Sequence, residues 1–176
     1  MMTQDIAIKI EKYTFTHEEK FGWWGPGDWV YEPDRVDFTY RGIKCYIVRA
    51  CYKEKKYTMQ MGHLCGYITI PKDHPWHGKA YEDIDVGVHW GLTFADFNKN
   101  EEFEIGFDCA HLYDLIPGTV ALMRNIYEKT GESRSVHPDE RISYKNVDFC
   151  IEQCKSLVDQ LLEYKGDKKN GTQSNN

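Results

Sequence analysis

The sequence predicts an α+β fold, mainly an antiparallel sheet packed by a C-terminal amphipathic helix. Three observations carry this expectation. Short alternating apolar and polar runs recur between turn signals through residue 109, at the roughly 8–12-residue spacing of antiparallel strands. Residues 144–165 change to helical periodicity. A composition of 41% hydrophobic and 14% aromatic residues is globular rather than disordered. At 176 residues the chain suits one α+β domain over 1–165, followed by a disordered polar tail over 166–176.

The first element is DIAIKIEKY (5–13), where Ile6, Ile8 and Ile10 alternate with polar residues as in a half-buried strand. An edge strand of this kind could mediate homo-oligomer formation. THEEKFGWWGPGDWVYEPD (16–34) reads as a loop by its Gly and Pro content. Its Trp23, Trp24 and Trp29 should cover a core edge or line a pocket rim. Val36, Phe38 and Tyr40 alternate again, Arg41-Gly42 can turn the chain, and IKCYIVRACY (43–52) follows as a β-rich run.

HLCGYITIP (63–71) makes another strand, and PKDHPWHGKAYEDID (71–85) a long loop. DVGVHWGLTFAD (85–96) and EFEIGFDCAH (102–111) then read as two strands around a polar stretch. VALMRNIY (120–127) forms a shorter helix after Pro117-Gly118. In the last segment Val147, Cys150, Ile151, Cys154, Leu157, Val158, Leu161 and Leu162 fall on one helical face. Cys150 and Cys154 are therefore core residues one turn apart, not a metal pair.

Charge and cysteine usage exclude several classes. A net charge of −6 without a basic block argues against long nucleic acid as a partner, though a single nucleotide needs only one or two cations. The opening MMTQDIAIKI lacks a secretory pattern, so the six cysteines read as reduced thiols in the cytoplasm. No apolar run approaches the roughly 18–20 residues that span a bilayer, so no membrane partner is expected. Phosphate-loop, dinucleotide-binding and serine-hydrolase motifs are absent.

The chemistry-bearing residues gather in the pair of strands after residue 85. Alternation places Val86, Val88, Trp90, Leu92 and Phe94 on one face, with His89, Gly91 and Thr93 on the other. A hairpin with both apolar faces inward sets Phe94 across from Phe103, Trp90 from Phe107, His89 from Asp108 and Gly91 from Gly106. A carboxylate beside an imidazole gives a general base or a ligand-binding donor, and facing glycines would let a ligand lie on bare backbone. Thr93 adds a hydroxyl and Glu104 an acceptor. A solvated sheet face accounts for the same residues and stands as the alternative.

DCAHLYD places Asp108, His111 and Asp114 at three-residue intervals, so they converge if the chain turns helical there. With His89 they would offer two imidazoles and two carboxylates to a divalent transition metal such as zinc, manganese or iron. Cys109 faces the core with Phe107 and reads as an inert thiol rather than a nucleophile. HPWHG carries His74 and His77 around Trp76, a candidate lid or rim with surface histidines as the plain alternative. Arg35 and Arg49 could each meet a phosphate, or simply pair with acidic residues.

Five blocks occur in order: EPDRVDF (32–38), IKCYIVRA (43–50), HLCGYITIPKDHPWHGKAY (63–81), VHWGLTF (88–94) and EIGFDCAHLYDLIPG (104–118). Together they resemble a family of small phage and prokaryotic proteins without an assigned function, over about residues 32–118. The matching polar positions are Glu32, Asp34, Arg49, Cys65, His74, His89, Thr93, Asp108, Cys109, His111 and Asp114. Trp90 departs from the family pattern, which has glycine there, and Phe38 departs where the family has Trp. The resemblance implies a shared site on this sheet, and host cytoplasm as the location if the chain is phage-encoded. It implies no reaction.

Two functions follow. The first is a phage-type binding protein that holds a small, nucleotide-derived ligand through Arg49, His74, Trp76, Thr93 and Asp114, with Trp23, Trp24 and Trp29 stacking a base. Such a protein could sequester a host signalling nucleotide as counter-defence. The second is a hydrolase of a nucleotide or similar small substrate, with His89, Asp108 and His111 catalytic and a metal on His89, Asp108, His111 and Asp114. A structural protein with a polar sheet face is the third, plainer reading.

Overall fold

Period-two alternation builds six strands, β1 (Ala7–Lys12), β2 (Arg35–Tyr40), β3 (Ile43–Arg49), β4 (Leu64–Thr69), β5 (Phe94–Phe97) and β6 (Phe103–Asp108). They form one antiparallel sheet in the order β1-β2-β3-β4-β6-β5, so β1 and β5 are its edges. Three helices complete the α+β fold: α1 (His17–Trp24), α2 (Pro117–Thr130) and α3 (Val147–Glu163). The computed structural model describes residues 7–51, 60–131 and 141–164. The predicted tail over 166–176, Ile6 and the end of the predicted third strand at Tyr52 lie outside the described residues. Among the described residues, no helix is long and apolar enough to cross a membrane.

The core lies between one sheet face and α3. Val36, Phe38, Ile47, Leu64, Ile68, Ile105 and Phe107 meet Cys150, Cys154, Leu157, Val158 and Leu161, the stripe expected from helical periodicity. Burying each large apolar side chain contributes roughly 1.5–3 kcal/mol, which holds α3 on the sheet. Asn146 caps α3 by accepting a hydrogen bond from the Phe149 amide at 2.9 Å. A methyl group on Gly66 would collide with the Phe107 ring and the Cys154 sulfur, so glycine there sets the close approach of sheet and helix.

The opposite sheet face is polar and aromatic. Tyr46 and Tyr67 stack at 4.8 Å, and the Arg35 guanidinium lies 4.1 Å over the Tyr46 ring. The Tyr46 hydroxyl donates to buried Glu104 at 2.8 Å, and the Asn98 amide donates to the same carboxylate at 2.6 Å. Burial and the neighbouring Glu104 carboxylate push the Tyr46 hydroxyl pKa up.

Several expectations are corrected. The segment 16–34 is not all loop: α1 occupies its first half, then a 3-10 turn at Asp28–Val30. Thr16 and Glu19 form a reciprocal capping box, which outweighs the glycine at position 22. Of the two placements expected for the tryptophans of this segment, Trp24 and Trp29 take the one against a core, a second small cluster with Val30, and not the pocket rim. Ile10 on edge strand β1 is exposed rather than half-buried. Trp76 is buried against the main core, with its ring 5.1 Å from Tyr164, so it is neither lid nor rim.

The predicted strand over 85–96 is mostly irregular, and only Phe94–Phe97 pairs with β6. Phe97, not Phe94, lies opposite Phe103, and Phe94 lies opposite Gly106. This slip is three residues, an odd number that reverses which of the paired side chains, Phe94–Phe97, face the core. Its cause is the turn: the Asn98 side chain accepts from the Asn100 and Glu102 amides, so strand pairing continues through Ala95, Asp96 and Phe97. Val86, Val88 and Leu92, in the irregular stretch before β5, pack on the core as expected, whereas Trp90 is 58% exposed instead of packing on Phe107.

Candidate functional site

The irregular stretch before β5 is clipped to α3. Gln160 accepts from the Gly87 amide at 2.7 Å and donates to the Gly87 carbonyl at 2.8 Å, while Gln153 accepts from the His89 amide at 2.8 Å. Trp90 and Gly91 then turn the chain with φ of 54° and 91°, and the Gly91 amide donates to the Val88 carbonyl at 3.0 Å. That turn points His89 away from the sheet pairing assumed for it. Phe149 meets the His89 ring edge-on at 5.2 Å.

On the other side, β6 ends at Asp108, whose carboxylate accepts from the Ala110 amide at 3.0 Å. The chain does not become helical after Cys109. It makes a tight turn in which the Asp114 amide donates to the His111 carbonyl and the His111 amide to the Asp114 carboxylate, both at 3.0 Å. Tyr113 sits at φ 72°, a position strained for a bulky residue. Two backbone bonds to Ser143 anchor the turn.

These two segments bring His89, His111 and Asp114 together, with their ligand atoms all within 4.8 Å of one another. His89 Nε2 lies 3.0 and 2.9 Å from the two oxygens of Asp114, a side chain only 1% exposed. The partner of His89 is therefore Asp114, and the expected pairing with Asp108 is corrected. Asp108 Oδ1 and Asp114 Oδ2 approach His111 Nδ1 at 3.6 and 3.7 Å, too far to hydrogen-bond. Among the described residues that buried nitrogen has no hydrogen-bond partner. Asp108 is outside the three-ligand group, so the expected set of four becomes three with a carboxylate beside it. Lys145 adds an ammonium 3.9 Å from Asp114.

Metal bonds of 2.0–2.2 Å leave neighbouring donor atoms about 3.0–3.4 Å apart. The His89–Asp114 separation of 2.9 Å and the His111–Asp114 separation of 3.7 Å bracket that spacing. Two imidazoles and one carboxylate suit zinc, manganese or iron, with coordination positions left for water and substrate. Without an ion, the same contact is a histidine oriented by a buried carboxylate.

The remaining candidates sit elsewhere. Arg49 is closed inside the protein: Nε meets Asp34 at 3.2 Å, Nη2 meets Glu32 at 3.1 Å, and Nη1 donates to the Gly62 carbonyl and the Tyr144 hydroxyl at 2.9 Å. A guanidinium with these partners braces the fold, which corrects its expected place in a ligand pocket. His74 bridges from the Trp76 amide to the Leu161 carbonyl, holding the 71–85 segment on α3. Thr93 is exposed, and its amide donates to the Gly106 carbonyl at 2.9 Å. The expected glycine gap is also filled, because the Tyr67 ring lies against Gly106 where a side chain would stand. Cys109 is buried 3.7 Å from Cys150, and that contact together with burial pushes its thiol pKa far up, as an inert thiol requires.

His63 was missed by sequence reasoning. It directly precedes β4, and its half-buried ring interacts electrostatically with Asp108, Asp114 and His111. Burial holds its pKa below the usual histidine value, and its Nδ1 has no hydrogen-bond partner among the described residues. The signal lies in the pairing of Cys65 with Asp108, which a single sequence does not reveal. No protein-family model, curated protein or solved structure matches this chain.

Proposed function

We propose that this protein is a metal-assisted hydrolase of a small polar substrate, with a divalent transition ion held by His89 Nε2, His111 Nδ1 and Asp114. The observation that supports this most is the convergence of those donors within 4.8 Å around a buried His111 Nδ1 that has no hydrogen-bond partner among the described residues. An ion bound there would acidify a coordinated water and polarise a substrate oxygen. Asp108 stands beside His111 Nδ1 at 3.6 Å and is the group we assign to accept the water proton. Binding-protein chemistry is less favoured, because Trp24, Trp29, Trp76 and Arg49, which would have held the ligand, are buried. The ordered motif blocks are the sole support for a phage-type origin and for action in the host cytoplasm.

The test is native mass spectrometry of EDTA-treated protein after addition of zinc, manganese or iron(II). One ion per chain is expected, lost in His111→Ala with the folded circular dichroism spectrum retained. Absence of stoichiometric uptake of all three ions by the wild type overturns the metal. A second reading is favoured by the 2.9 and 3.0 Å contacts between His89 and Asp114: His89 as a metal-free base on Nδ1, oriented by that carboxylate. It requires turnover that survives chelation and is lost in Asp114→Asn.

A further inference from the structure

We infer that Trp90 is the substrate platform of this site, and that the substrate class is a planar heteroaromatic ring carrying an anionic group, as in a nucleotide. The inference rests on the hydrolase reading for its site and adds the identity of what binds there.

Trp90 is 58% exposed, whereas Trp24, Trp29 and Trp76 are buried and Trp23 is half-buried. Its ring lies nearly parallel to His111, at 15° and 5.9 Å between centroids, so the indole continues directly from the proposed metal ligand. Its backbone is left-handed with φ 54°, a conformation that disfavours bulky side chains. Neither core packing nor local propensity accounts for a large indole held there. The clips from Gln153 and Gln160 to His89 and Gly87 fix the turn that presents it.

The groups around the indole define what fits. A ring stacked on Trp90 would lie beside His111, leaving a substituent to reach His89 and Asp114. Lys145, with its ammonium 3.9 Å from Asp114 and 5.5 Å over the Phe149 ring, supplies a cation for an anionic substituent. An exposed indole, a neighbouring imidazole and one ammonium together match a flat base joined to a phosphate or carboxylate.

The test is isothermal titration of the zinc-treated full chain with adenosine 5′-monophosphate and, separately, ribose 5-phosphate. Base stacking of ordinary strength predicts that the nucleotide binds about tenfold or more tightly than the sugar phosphate. Trp90→Ala should erase that difference and Trp90→Phe should keep most of it, with folded spectra in both. Equal binding of the two compounds, binding of neither, or an unchanged preference in Trp90→Ala overturns the platform. Repeating the titration on EDTA-treated protein separates the two ideas. A ring preference without uptake of zinc, manganese or iron(II) refutes the metal and keeps Trp90, whereas uptake of any of them without a ring preference does the reverse.

Discussion

Replacing Arg49 by methionine tests whether this arginine serves the fold or a ligand. Methionine keeps much of the aliphatic length and removes five hydrogen bonds, to Asp34, Glu32, the Gly62 and Pro33 carbonyls and the Tyr144 hydroxyl. Lys20, fully buried, would still face Asp34 at 2.8 Å, and Asp34 would still accept from the Thr14 and Phe15 amides. Glu32 would keep the Tyr144 hydroxyl at 2.6 Å and the Val147 amide at 3.0 Å. Glu32, half-buried, would nonetheless lose the one cation that pairs with it among the described residues, and buried Asp34 would lose one of its two. Breaking a buried ion pair from one side costs about 3–5 kcal/mol. With an m-value of about 2 kcal/mol/M in urea, the unfolding midpoint should fall by roughly 1.5–2.5 M. Arg49→Lys, which keeps charge without the fork, should fall between wild type and Arg49→Met. A midpoint within about 0.3 M of wild type for Arg49→Met, on the same m-value, would refute the structural role and return Arg49 to the list of ligand contacts.

Two further predictions concern protonation. Burial keeps the pKa values of His63 and His74 below the ordinary 6.5, so both stay neutral in the folded protein where the unfolded chain takes up protons. Stability should therefore decline as pH falls through 6.5 and level off below the folded values, and the His63→Gln, His74→Gln double variant should flatten that decline in urea midpoints. Burial pushes the thiols of Cys45 and Cys65 up to about 12, so both should resist iodoacetamide at pH 8 in the native protein and react in 8 M urea. Peptide mass mapping of the alkylated chain decides this, and rapid native labelling of Cys65 would show that its strand opens.

Much of the fold is legible in the sequence because alternation and helical periodicity are local. Val36, Phe38 and Tyr40 announce β2, and the stripe from Val147 to Leu161 announces α3. What was misread depends on single polar contacts. One Asn98 side chain decides where the β5–β6 turn begins, and with it the faces of Phe94–Phe97, while Val86, Val88 and Leu92 in the irregular stretch before them still pack on the core. The Thr16–Glu19 box that starts α1 is a helix signal overlooked beside the Gly and Pro that mark the same segment as loop. For the site, His89, His111 and Asp114 were recognisable as chemistry, but not their geometry. His89 reaches Asp114 because its loop is tied to α3, a partnership 64 and 73 residues distant in the chain. The closure of Arg49 likewise needs Tyr144, 95 residues away.

The attachment of the 85–93 loop through Gln153 and Gln160 makes α3 a lever on the proposed reaction centre. Those glutamines share a helix with Cys150, Cys154 and Leu157, so a change of side-chain volume under α3 shifts the loop's anchorage and not only the core. His111 and Asp114 are held by their own turn beyond β6 and by Ser143, which stands just before the Asn146 cap of α3. The helix thus holds one half of the centre through its body and the other through the segment that leads into it. Mutations far from any polar group would detune the centre by shifting the helix. Selection on activity would then reach into the hydrophobic interior, because replacements along the buried side of α3 would disturb the loop's anchorage as well as the core.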